Sequence, residues 1–124
     1  MRRIVLTILT AGAVVGALTS CAGADSAAPM DLGPDAVIID VRTPAEHAAG
    51  HLDGALLLDL AGGELAAALP GLDPDGEYLV YCRSGNRAGA AIDLMTQAGF
   101  TDLTNLGTLE NAATVTGLLV TVGD

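Results

Sequence analysis

Tyr78-Leu-Val-Tyr-Cys82-Arg-Ser-Gly-Asn-Arg87 runs an apolar strand into a loop of six residues, and a helical pattern follows at once. Ala88, Ala91, Ile92 and Met95 recur at i, i+3, i+4 and i+7, the buried stripe of an amphipathic helix. Gly99 fits the position just past that helix, with Phe100 placed to pack back on Met95. The loop also concentrates the chain's positive charge. The basic residues are Arg2, Arg3, Arg42, Arg83 and Arg87, with no lysine, so two of five lie in this loop just after Cys82.

Outward from the loop, strand and helix signals alternate. Ala36-Val-Ile-Ile-Asp40 is a nearly continuous apolar run, the mark of a strand buried on both faces. Thr43-Pro-Ala-Glu46 opens a helix, with Thr43 as N-cap, Pro44 in the first helical position and Glu46 completing a capping box. Gly50 stops it; His51 to Gly54 reads as a turn and Ala55 to Leu58 as a second buried strand. Glu64 to Leu69 is a short helix and Asp73 to Gly76 a turn. Asp102 to Leu106 is a further strand, Leu109 to Thr116 a weak helix, and Gly117 to Asp124 a tail of ambiguous pattern. This alternation predicts an α/β fold with a mainly parallel sheet. In such sheets ligands bind at the carboxyl ends of strands, where Cys82 stands.

The N-terminus lies apart from this core. Met1-Arg-Arg followed by the uncharged apolar run Ile4 to Leu18 has the form of a signal peptide, residues 1–20, and the run is short for a membrane span. Leu18-Thr-Ser-Cys21 resembles a bacterial lipobox, which implies cleavage before Cys21 and lipid attachment to its sulfur. Residues 21–30 then read as lipidated cysteine and flexible tether, and 31–124 as one domain. The expected location is the bacterial cell envelope, outside the cytoplasm and anchored to the membrane. Without its leader the chain has three arginines against fifteen carboxylates, a formal charge of −12. That charge excludes nucleic-acid binding. With Cys21 acylated, Cys82 is the one free thiol, which leaves no disulfide framework and no cysteine-rich metal site. His47 and His51 stand four apart, but Gly50 interrupts the helix between them; no metal and no cofactor is expected.

A cysteine acts as a nucleophile only as thiolate. Arg83 and Arg87 supply nearby charge, Ser84-Gly85-Asn86 is able to curl its N–H groups around the sulfur, and the next helix adds its N-terminal field. Cys82-Arg-Ser-Gly-Asn-Arg87 resembles the active-site loop of the rhodanese family. Asp40-Val-Arg42 with Pro44, Glu46 and Gly50-His-Leu-Asp-Gly-Ala55 is similar to that family's other signature, and Ala98-Gly-Phe100 through Asn105-Leu-Gly107 to its closing strand. The resemblance implies a twisted, mainly parallel five-stranded sheet flanked by helices. It also implies transfer of sulfane sulfur from a donor such as thiosulfate, through a Cys82 persulfide, to cyanide or a thiol. Arg83, Ser84, Gly85, Asn86 and Arg87 would hold the substrate, while Asp40, Arg42 and Glu46 brace the fold, Arg42 pairing with Glu46. The expected partners are a small sulfur-containing anion or a thiol or persulfide, and the protein is expected to be a monomer. A persulfide carrier that does not turn over is the alternative. A phosphatase or arsenate reductase is disfavoured, because four residues separate Cys82 from Arg87 where those relatives have five.

Overall fold

A computed structural model describes residues 29–123. The proposed leader, Cys21 and most of the tether lie outside the described residues. Four parallel strands form the central sheet: β1 (Val37–Asp40), β3 (Leu56–Leu57), β4 (Glu77–Cys82) and β5 (Asp102–Thr108), in the order β3-β1-β4-β5. Between them run helices α1 (Pro44–Ala49), α2 (Glu64–Ala68) and α3 (Asn86–Gln97), and α4 (Leu109–Thr116) follows β5. The α/β architecture is as the alternation predicts, with four central strands where the resemblance implies five. A separate two-stranded antiparallel ribbon joins β2 (His51–Leu52) to β6 (Val120–Thr121).

The two faces of the sheet carry two aliphatic cores. Ile39, Val80 and Cys82 pack with Leu65 of α2 and with Ala88, Ala91 and Met95 of α3. Ile38, Leu79, Tyr81 and Leu106 pack with Leu52 and Ala112 on the other side. Full burial of an aliphatic side chain such as Ile39 or Leu79 contributes about 1.5–3 kcal/mol. β1 and β4 sit centrally, which is why their sequences are apolar on both faces.

Local signals hold where they are strong. Thr43 and Glu46 form the reciprocal capping box at α1, with Pro44 inside it. At the end of α3, Gly99 takes φ +98° and the Phe100 N–H bonds the Met95 carbonyl, closing the helix as its glycine predicts. Two expectations change. Leu56–Leu57 is an edge strand with Leu56 41% exposed, rather than a strand buried on both faces. His51–Leu52, expected as a turn, instead pairs with the tail at Val120–Thr121. That ribbon depends on pairing between segments nearly seventy residues apart, which no local pattern announces.

Candidate active site

β4 ends at Cys82 and α3 begins at Asn86, so the loop is pulled tight between two rigid elements. Gly85 makes the turn. Its φ of +90° is one that side-chain-bearing residues rarely adopt, and a Cβ there would meet the Cα of Gly107 at 3.4 Å. β5 is shaped to receive it. The register slips by one residue between Val80 and Tyr81, and Gly107 turns with φ +75°. The Asn105 side chain spans the junction, donating to the Gly85 carbonyl at 3.3 Å and accepting from the Gly107 N–H at 2.8 Å.

Cys82 is completely buried beneath this loop. Its Sγ accepts from the Gly85 N–H at 2.8 Å and from the Ala88 N–H at 3.4 Å. Burial alone pushes a thiol's pKa up, but the backbone amides of Ala88, Ser84, Gly85 and Arg87 outweigh it and hold Cys82 below the ordinary thiol value. The amide ring therefore stabilises negative charge on sulfur. Ala88 belongs to this ring although it lies beyond the six-residue motif; only the first turn of α3 brings its amide to the sulfur.

The arginines are distributed differently from expectation. Glu46 does not pair with Arg42. It takes Arg87 in a two-pronged ion pair, Nη1 to Oε1 at 2.8 Å and Nη2 to Oε2 at 2.9 Å. That guanidinium, with the cap at Thr43, draws the Glu46 carboxyl down to about 2. Arg42 instead turns back on Asp40, with Nε to Oδ1 at 2.9 Å and Nη2 to Oδ2 at 2.7 Å, and also bonds the Gly50 carbonyl. The physical reason is direction. α1 presents Glu46 toward the loop across its capping box, while Arg42, buried at the end of β1, has a carboxylate two residues away.

Asp40 is the hub behind the loop. Besides Arg42 it accepts from His47 Nδ1 at 2.9 Å and from the Tyr81 hydroxyl at 3.2 Å. Burial opposes its charge, but the hydrogen bonds from Arg42 and His47 hold its pKa below the usual carboxylate value. Tyr81 in turn accepts from the Leu52 N–H at 3.0 Å, and burial pushes its hydroxyl up to about 12. His47 stacks on His51 with ring centroids 3.7 Å apart. No metal-ligating cluster occurs among the described residues.

The fold thus brings Cys82, Arg83, Ser84, Gly85, Asn86 and Arg87 together at the carboxyl end of β4, with Asp40, Arg42 and Glu46 behind and beside them. Arg83 is exposed and in no ion pair among the described residues. It lines a cleft of about 320 Å³ with Arg42, Thr108, Leu109 and Glu110. Sequence reasoning missed Asn105 as a loop brace, and it missed Thr108 and Glu110 at the cleft.

This chain is similar to several sulfurtransferases. Thiosulfate sulfurtransferase PspE of Escherichia coli is 32% identical over 77 residues, 60% of this chain and 72% of PspE. Thiosulfate sulfurtransferase GlpE of Pseudomonas fluorescens is 38% identical over 68 residues, 55% of this chain and 61% of GlpE. The probable adenylyltransferase/sulfurtransferase MoeZ of Mycobacterium tuberculosis is 36% identical over 80 residues, and the chain spans 20% of MoeZ's length. Among solved structures, an E. coli rhodanese with anions superposes with a TM-score of 0.59 at 29% identity, covering 71% of this chain and 99% of that one. With the Rhodanese-like domain family matching residues 24–108, a span that contains both the Asp40 hub and the Cys82 loop, this chain belongs to that family.

Proposed function

We propose that this protein is a sulfurtransferase in which Cys82 carries sulfane sulfur from a donor such as thiosulfate to cyanide or a thiol. The carrying observation is the amide ring around Cys82 Sγ, which favours thiolate without any general base. In the first step the thiolate attacks the outer sulfur of thiosulfate. The new S–S bond forms as the old one breaks, and sulfite leaves with the electron pair. The product is a Cys82 persulfide, whose terminal sulfur carries the negative charge that the same amides stabilise. In the second step cyanide or a thiolate attacks that terminal sulfur, and Cys82 leaves as thiolate. Because the sulfur is covered at rest, each step requires the Arg83–Asn86 lip to move outward.

The carrier reading has one observation in its favour. Arg87 is neutralised by Glu46, so within the loop a free anionic donor meets only Arg83 as an unpaired charge among the described residues, on a domain that is acidic as a whole. Delivery from a persulfidated partner protein would bypass that field. The phosphatase-like reading loses further ground, since Arg87 is already engaged in both prongs and is not open to an oxyanion. Together with the signal-peptide and lipobox reading, the proposed setting is a monomer tethered through Cys21 to the outer side of a bacterial membrane.

Cyanide-dependent thiocyanate formation from thiosulfate tests the proposal. Activity should vanish in Cys82→Ser; undiminished activity in that variant would sink it.

A further inference from the structure

The cleft beside the loop has a chemistry that sulfur transfer from thiosulfate to cyanide does not use. Its deep wall is Arg42, whose side chain is only 7% exposed. Nε and Nη2 of that guanidinium bond Asp40 and Gly50, and its central carbon lies 5.4 Å from the centre of the Tyr81 ring. A guanidinium that is more than nine-tenths buried and still reaches a cleft wall is a built feature. Arg83 supplies a second guanidinium at the rim. Leu109 and Glu110, the first two residues of α4, lie at the same edge, so unpaired first-turn amides add to the field that favours an anion.

Glu110 contradicts a site for a simple anion. This exposed residue lines the same cleft, yet it forms no ion pair with Arg83 or Arg42 among the described residues. Opposite charges thus share one small concavity without neutralising each other. A ligand with a carboxylate at one end and an ammonium at the other satisfies both; a purely anionic one meets Glu110 as a like charge, and a purely cationic one meets two guanidinia. The cleft also adjoins the reacting group. Arg83 is the chain neighbour of Cys82, and Thr108 is its partner in the β4–β5 register.

We propose that this cleft holds the carboxylate-and-ammonium end of an α-amino-acid thiol, such as free cysteine, and so selects the sulfur acceptor. The assignment rests on the sulfurtransferase reading for its place in the reaction. Arg42 and Arg83 bind the carboxylate, Glu110 binds the ammonium, and the ligand's thiol is left facing the loop from the Arg83 side. Acceptance is balanced. The cysteine thiolate attacks the outer sulfur of the Cys82 persulfide, Cys82 departs as thiolate, and the product is the amino acid's own persulfide.

The test uses S-methyl-L-cysteine, which binds without accepting sulfur, titrated into isotope-labelled protein and followed by amide chemical shifts. The expected result is shifts at Arg83 and at Thr108 through Asn111, with affinity about tenfold weaker in Glu110→Gln, the loss of one charge-assisted hydrogen bond. 3-(Methylthio)propionate, lacking the ammonium, and 2-(methylthio)ethylamine, lacking the carboxylate, should each bind about tenfold more weakly than the whole ligand. Equal binding of either half-ligand, undiminished affinity in Glu110→Gln, or shifts located elsewhere would overturn the assignment. Loading of Cys82 from thiosulfate is measured in parallel. Loading without cleft binding overturns this inference alone, whereas cleft binding without loading supports the ligand assignment and overturns the sulfur-transfer reading.

Discussion

Gly85→Ala probes the amide ring through a single methyl group. The native φ of +90° costs an alanine about 1–2 kcal/mol, and the new Cβ stands 3.4 Å from the Cα of Gly107. The loop can escape only by turning residue 85 out of that conformation. Doing so swings its N–H away from the 2.8 Å contact with Cys82 Sγ. One hydrogen bond to a charged group contributes about 1.5–3 kcal/mol, which corresponds to a rise of roughly one to two units in the thiol pKa. The assay is ultraviolet thiolate absorbance against pH, with urea unfolding alongside. Gly54→Ala is the control, since Gly54 has φ +83° with nothing within 4 Å of its added Cβ. Both variants should lose about 1–2 kcal/mol of stability, and only Gly85→Ala should move the thiolate titration. An unmoved titration in a Gly85→Ala variant whose residue-85 amide shift shows it displaced from the sulfur would refute the view that this amide holds the thiolate.

Three further outcomes are expected. Glu46→Gln keeps the helix cap but removes the charge facing Arg87; it should cost about 1–2 kcal/mol in urea unfolding and lower the thiol pKa of Cys82, as Arg87 becomes uncompensated. The stability that wild type holds over Cys82→Ser should depend on pH in a defined sense. The folded thiol pKa lies below the unfolded one, so the thiolate contribution is complete above the unfolded value of about 8.5 and fades as pH falls through the folded value; a difference that is flat with pH counts against the shift. Tyr81→Phe leaves the Leu52 N–H buried without its acceptor and deprives Asp40 of one donor, a loss of about 1–3 kcal/mol measurable by thermal melting.

The parts of this molecule that were legible in sequence are those written locally. Thr43, Pro44 and Glu46 announce a helix start because the cap uses adjacent residues, and Gly99 announces a stop for the same reason. Ala36 to Asp40 and Tyr78 to Tyr81 read as strands because burial on both faces leaves no polar alternation. The position of Cys82 at a strand's carboxyl end followed from those elements. What sequence did not carry is partner choice among charged groups. Glu46 had two arginines within plausible reach, and the direction α1 takes from β1 decided for Arg87, forty-one residues away. The Asp40 hub likewise gathers Tyr81 from the neighbouring strand, forty-one positions on, a contact created by β1–β4 register. The β2–β6 ribbon and the cleft at Thr108 and Glu110 arise the same way, from where the tail and α4 are laid against the sheet.

The central claim is that the Cys82 thiolate takes a sulfane sulfur and holds it under the loop. Intact-mass analysis of reduced protein after mixing with thiosulfate and rapid removal of small molecules tests it most directly. The account predicts a gain of one sulfur atom per chain, one sulfite released for each sulfur gained, and no gain in Cys82→Ser. An unchanged mass in the wild-type protein, or an equal gain in the serine variant, would contradict it.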